Sequence, residues 1–412
     1  MDIAFHYFAV KAMAVSAGFN DDEAQLIAEY SQMVDDFDFT TCWHCTNIPN
    51  FVKQNGFDIV INEFFNILNP VQTGFLADGH IINIDYVLFL SSRFQRLTCA
   101  PFHFVYHDRS EIGTTNYRVY PAFYRDLSII SSLMDIARDD YQRAVQGDSD
   151  IYGNNATFRR KALMKIGLVL HIFADTVAHQ LFSGFNDNVN NVELTSTTNN
   201  ITGADETEKY KNMILAFLSQ FKIVPKIGHM MIEHVPDLTH LTFGIRYKNE
   251  QASMVNYTRS NTADFITRCK DILNYLRACK LQNRVSDDEW WNISNKLATC
   301  FKTDISDCSK ERDMVSILSP VWTREFGGVF DFDGERMKRE YVLNTEPLRN
   351  DVMMQLQDIP EEYRPTLTTT ASMDFYLFNV CAEEVLVNLY GENPRRLIGD
   401  ELLYPKLSNN NE

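Results

Sequence analysis

The stretch HIFADTVAHQLFSGF, residues 171–185, carries His171, Asp175 and His179 at strict four-residue spacing in an otherwise apolar run. On an α-helix each four-residue step turns about 400°, so successive members are offset by roughly 40° and rise about 6 Å. The three side chains therefore share one face, with the two histidines about 12 Å apart along the axis. Bonds from imidazole to one ion are only about 2 Å long, so histidines that far apart serve different ions. An aspartate between them can bridge neighbouring ions. The spacing points to a metal cluster on a buried helix, and the remaining ligands must come from elsewhere in the chain.

Composition sets the limits. The 412 residues are 45% hydrophobic, 12% aromatic and 23% charged, the profile of a globular chain with a large core and more than one folding unit. The formal net charge of -17 repels polyanions and counts against nucleic acid as a partner. Eight cysteines are scattered without a disulfide pattern and read as reduced thiols; Cys42 and Cys45 have zinc-knuckle spacing but no second such pair. No run approaches the roughly 18 apolar residues of a membrane span. The N-terminus opens with Asp2 and is interrupted by Lys11, which fits an amphipathic helix better than a cleaved signal. Any export is then expected to use a route without a cleaved N-terminal signal, the active protein keeping Met1 and His6.

Helical periodicity dominates, and the expected fold class is mostly α. Helices are predicted at 2–17, 21–36 (with Asn20 as N-cap), 120–146, 157–182, 207–234, 261–283, 287–302 and 373–390. Strand-like stretches are few, near 80–90 and 341. Residues 185–206 are rich in Asn and Thr and read as a long loop close to the metals. The last histidine is His240. That asymmetry suggests a helical metal domain over 1–284 and an accessory region of unknown role over 285–412.

Partners for the anchor helix are spread along the first 240 residues. His6 lies on the first helix, Asp35 and Asp36 end the second, and His103 sits among aromatics with His107 after it. Near residue 230, His229 and Glu233 are spaced four apart, with His234 and Asp237 close behind. Imidazole and carboxylate together suit zinc and similar cations, and ligands on several helices can surround a cluster in a bundle core. Each residue alone has an ordinary explanation: a satisfied core histidine, acids at a helix end, or a surface pair. Their combination in one register favours metal.

The phrases MDIAFHYF, SQMVDD, PFHF, HIFADTVAHQLFSGF and IGHMMIEHVPD resemble the zinc-dependent phospholipase C and single-strand nuclease superfamily. More closely, they resemble a bacterial zinc metallophospholipase C group that includes injected effectors. The likeness covers roughly residues 1–240, and the HxxxDxxxHQxFSG phrase is its most specific part. It implies a helical domain holding two or three zinc ions. Asp35 or Asp36, His103, His171 and Asp175 would form one site, and His6 with the shared Asp175 a second. His179, His229 and Glu233, or Asp237 in place of Glu233, would form the third. Better-known members begin with a processed tryptophan whose amine and carbonyl bind zinc; here Met1 would supply the amine, or Asp2 or water would fill that position.

The activity implied is hydrolysis of glycerophospholipids to diacylglycerol and a phosphorylated head group. Metals acidify the attacking water, with Asp35 and Asp36 as candidate catalytic carboxylates and Asp36 the one left to orient that water. The loop at 185–206 and the aromatics Phe102, Phe104 and Tyr106 are candidate substrate contacts. The expected partner is a phospholipid surface met peripherally, and the location is the bacterial cytoplasm before secretion or injection into a host cell. A nuclease or nucleotidase of the same superfamily is the alternative. A binding module with purely structural zinc is disfavoured, because such sites are closed and favour cysteine.

Overall fold

The computed structural model describes residues 2–37, 43–45, 59–61, 66–68, 71–74, 92–150, 154–219, 224–249, 251–305, 308, 310–334, 336 and 374–391. The strand-like stretches near 80–90 and 341, Met1 and Cys42 lie outside these residues. The fold is mostly helical. A π-helical segment, Ala4–Ala9, runs directly into α1 (Val10–Ser16), followed by α2 (Asp21–Asp36), α3 (Ile129–Val145) and α4 (Asn155–Ala178). Then come α5 (Thr207–Leu218), α6 (Asn261–Cys279), α7 (Asp287–Cys300), α8 (Glu311–Phe326) and α9 (Asp374–Tyr390).

Helix α4 is the axis of the molecule. Every residue from Lys161 to Ala178 is buried, as expected of a helix that is apolar on all sides and enclosed by others. α2 and α3 pack along it, α9 covers a further side, and α1 lies on α2 and α6. Gly167 sets the α2–α4 spacing, because a Cβ there would collide with the Ile27 carbonyl oxygen of α2. Local chemistry starts these helices where the capping residues stand. Asn20 and Glu23 form a reciprocal capping box before α2, and Ser128 and Asn154 cap α3 and α4.

Several boundaries differ from the sequence expectation. α3 begins at Ile129 rather than 120, because Asp126 accepts N–H bonds from Phe123 and Ser128 and holds 123–128 in a turn. α4 runs from Asn155 to Ala178 rather than 157–182, and Leu181 then adopts a φ of 76°. The predicted helix 207–234 stops at Leu218. Pro225 lacks a donor, Gly228 takes a φ of 53°, and only a 3-10 turn forms at Met230–Ile232. His229 and Glu233 therefore do not share a helical face.

Sheet structure was the larger omission. Residues 185–206 are not an open loop: they contain β4 (Glu193–Asn199), which pairs antiparallel with β5 (Leu241–Lys248), and β5 pairs with β6 (Met254–Ser260). A second antiparallel sheet joins β1 (Trp43–Cys45), β3 (Asn66–Leu68) and β2 (Ile59–Ile61), in that order. β6 feeds directly into α6, which brings the β4–β6 sheet against the end of α4.

The described helices beyond 285 join the same core. Trp322 of α8 is buried against Phe8, with ring centroids 5.9 Å apart. On α9, Glu384 meets the buried Lys161 and Lys165 of α4, and Asp374 pairs with Arg160. No helix among the described residues is long and apolar enough to cross a membrane.

Candidate metal centre

Three buried helical segments and one turn converge on Asp175. His6 arrives on the π-helical segment before α1, and His103 follows a second π-helical segment, Gln95–Cys99, and the short helix Ala100–Phe102. The wider π turn is commonly found where a helix re-aims side chains at a functional site. Asp35 lies in the last turn of α2, with its side chain 30% exposed. His171 and Asp175 lie on α4, and His179 is its C-cap. His229 and Asp237 flank the 3-10 turn that replaced the expected helix.

The contact distances sort these residues into three groups: His6, His171 and Asp175; Asp35, His103 and His171; and His179, His229 and Asp237. Asp175 Oδ1 is 3.1 Å from His6 Nε2, while its Oδ2 is 3.1 Å from His171 Nε2 and 3.2 Å from His103 Nδ1. Asp35 Oδ1 is 3.6 Å from both His103 Nδ1 and His171 Nε2. In the third group Asp237 lies 3.5 Å from His179 Nε2 and 3.4 Å from His229 Nε2. Four ligands at about 2 Å from a tetrahedral ion stand about 3.4 Å from one another. Most of these separations are too long for good hydrogen bonds but match ligand edges.

The outer nitrogens strengthen the case. His171 Nδ1 faces the Ser31 carbonyl at 2.8 Å, His103 Nε2 the Thr73 carbonyl at 2.6 Å, and His179 Nδ1 the His103 carbonyl at 2.7 Å. His229 Nδ1 faces the Glu233 carbonyl at 2.6 Å. A carbonyl only accepts, so each outer nitrogen carries the N–H and each inner nitrogen of a neutral ring offers a lone pair. His103 Nδ1 and His171 Nε2 then face each other at 3.2 Å beside a carboxylate oxygen. The inward lone pairs of His103, His171, His179 and His229 and the carboxylates of Asp35, Asp175 and Asp237 make a donor set that could hold a divalent metal.

Electrostatics agree. Burial, with the neighbouring His103 adding, holds His171 down at about 4, and burial lowers His229 to about 4 as well. His6 is pushed well below its ordinary range by burial and by His171. Burial alone would raise Asp175 and Asp237, but the histidines around them outweigh it and keep both carboxyls well below normal. Asp35 is held well above normal by burial and then by Asp175, Asp36 and Asp237. Asp2, enclosed near Asp237, is pushed up to about 7, mainly by burial.

Of the residues singled out in the sequence, His6, Asp35, His103, His171, Asp175, His179, His229 and Asp237 are brought together. Glu233 is not in the groups; it serves through its backbone carbonyl, at a φ of 49° that turns the chain toward Asp237. Asp36 stands beside the cluster, its Oδ1 accepting from Gln32 Nε2 at 3.3 Å. His107 is outside the groups, and His234 is 73% exposed at the rim, 3.6 Å from Asp237. Phe102, Phe104 and Tyr106 are buried packing residues rather than a substrate surface, Phe104 stacking on His179 at 4.4 Å. The carbonyls of Ser31, Thr73 and Glu233 carried no sequence signal, because backbone acceptors are the same in every residue.

Fold and site together define a mostly helical protein with a buried histidine–carboxylate centre whose residues could hold a metal ion. The chain belongs to a family of unknown function, DUF6765, whose profile matches residues 1–389. No curated protein matches it. No solved structure matches it either.

Proposed function

We propose that the chain is a zinc-dependent phospholipase C that works at a lipid surface and releases diacylglycerol and a phosphorylated head group. The observation that carries this reading is the cluster of histidines and carboxylates around Asp175, where rings bound to backbone carbonyls turn their lone pairs inward. Structural zinc sites favour cysteine and closed coordination, whereas hydrolytic sites use this donor set and keep a position open. The resemblance of the HIFADTVAHQLFSGF phrase to zinc phospholipases C supplies the substrate class, and the acidic balance of the chain favours a lipid over a nucleic acid.

When bound, zinc supplies an acidified water and a Lewis-acid hold on the phosphoryl oxygens. The residues supply the rest. His6, His103, His171, His179 and His229 would hold the metal through nitrogens whose direction is set, in the last four, by backbone carbonyls. Asp175 presents one oxygen to His6 and the other to His103 and His171, so it can serve two ions. Asp36, which accepts from Gln32 at the end of α2, is the carboxylate we assign to orient or deprotonate the attacking water. Zinc-loaded protein assayed on phosphatidylcholine vesicles and on single-stranded DNA tests the reading. Phosphocholine release without nucleotide release is expected. Nucleotide release without lipid hydrolysis would replace it with a nuclease.

A further inference from the structure

The third ligand group needs two chain segments held in register: the end of α4, which places His179, and the 235–238 turn, which places Asp237. Arg259 of β6 touches both. Its side chain is buried, and its Nη1 donates to the carbonyls of Val177 and of Ala178, the latter at 3.0 Å. Its Nη2 donates to the Pro236 carbonyl at 2.7 Å. Asn261 steadies the guanidinium from below, accepting from Nε at 2.9 Å, and also donates to the Val235 and Leu238 carbonyls at 2.9 and 2.8 Å.

We infer that Arg259 is a positioning residue for the metal centre, locking His179 and Asp237 at ligand spacing without itself binding metal. The inference rests on the metal reading of the site. Its physical basis is the helix terminus: the last carbonyls of α4 lack intrahelical donors and carry partial negative charge. A planar, forked cation fills two of them and still reaches a third carbonyl across the gap, which a point-like ammonium does not do. His179 begins where those carbonyls end, and Asp237 follows Pro236 directly. A shift of either carbonyl partner moves a ligand of the third group, while the ligands around Asp175 are held by other contacts.

The test is a zinc titration of the metal-free protein, comparing wild type with Arg259→Lys, the milder Asn261→Ala, and Arg268→Lys. Arg268 is an equally buried arginine that donates to the Ala122 carbonyl at 2.6 Å and lies over the Phe173 ring, so it controls for general loss of stability. R259K is expected to weaken only the zinc held by the third group, by about 10- to 100-fold, as supporting contacts of metal ligands do. N261A should weaken the same zinc less, and R268K should keep every zinc at wild-type affinity even where its melting temperature falls. R259K with wild-type zinc affinity throughout, or an equal loss in R268K, would overturn the role of Arg259. A wild-type protein that binds no zinc would overturn the metal reading itself, a separate result.

Discussion

At the residue scale, the choice between Glu233 and Asp237 shows what sequence spacing can and cannot decide. A four-residue interval makes His229 and Glu233 look like a helical ligand pair, but Pro225 and Gly228 prevent that helix and leave a single 3-10 turn. Asp237 then reaches His179 and His229, and Glu233 offers only its carbonyl. Asp237→Asn is therefore expected to weaken zinc binding by at least about 100-fold, more than the loss of a supporting contact. Glu233→Gln should leave it within about threefold, by the same comparison. Equal effects in a zinc titration would reverse the assignment. A second prediction concerns pH in the metal-free protein. His229 has a folded pKa of about 4 against an ordinary 6.5, so between those values the unfolded chain binds a proton that the folded chain refuses. Stability contributed by the neutral ring is complete above about 6.5 and is lost as pH falls toward 4. Asp2 and Asp35, held protonated by burial, act in the opposite sense, so the clean readout is a difference. Within that window apo His229→Asn should lose stability less steeply than apo wild type, by about 1.4 kcal/mol per pH unit. Parallel slopes in urea unfolding would contradict the assignment of a buried neutral His229.

At the element scale, the helices that build the centre were legible where periodicity and caps coincided. α2 begins at its expected N-cap, Asn20, and α4 covers the apolar run that frames His171 and Asp175. The sheet was not legible. β4 reads ELTSTTN, where Leu194 is the one apolar residue and a register shift between Leu194 and Ser196 breaks the alternation, and β5 and β6 follow a stretch with helical periodicity. What the β4–β6 sheet supplies, including Arg259, was lost with it. The close approach of α2 to α4 is carried by Gly167, one turn before His171, whose ring reaches the Ser31 carbonyl of α2 at 2.8 Å. Gly167→Ala puts a methyl group against the backbone of α2, an overpacking expected to cost about 1–3 kcal/mol. Urea unfolding measures it, with zinc affinity at the His171 sites falling in parallel. A neutral G167A would mean that the helices are free to separate and that their contact does not aim His171.

At the scale of the whole molecule, the ligands come from positions 6 to 237 and meet because α2 and the short helix before His103 dock on one buried helix, with the π-helical segment that carries His6 packed on α2. Sequence spacing identified the residue types and their order, since polar ligands in apolar runs stand out. It gave no means of seeing the carbonyls that fix each ring, because those depend on how helices pack. The central claim is that the histidine–carboxylate cluster around Asp175 holds more than one cation. Metal content per chain, measured by elemental analysis on wild type and Asp175→Asn purified in zinc, tests it most directly. The account predicts about two to three zinc ions in the wild type, matching three ligand groups of which two share His171. It predicts that D175N loses more than one of them, because Asp175 faces His6 with one oxygen and His103 and His171 with the other. A wild type without bound metal, or a D175N protein that keeps its full complement, would contradict it.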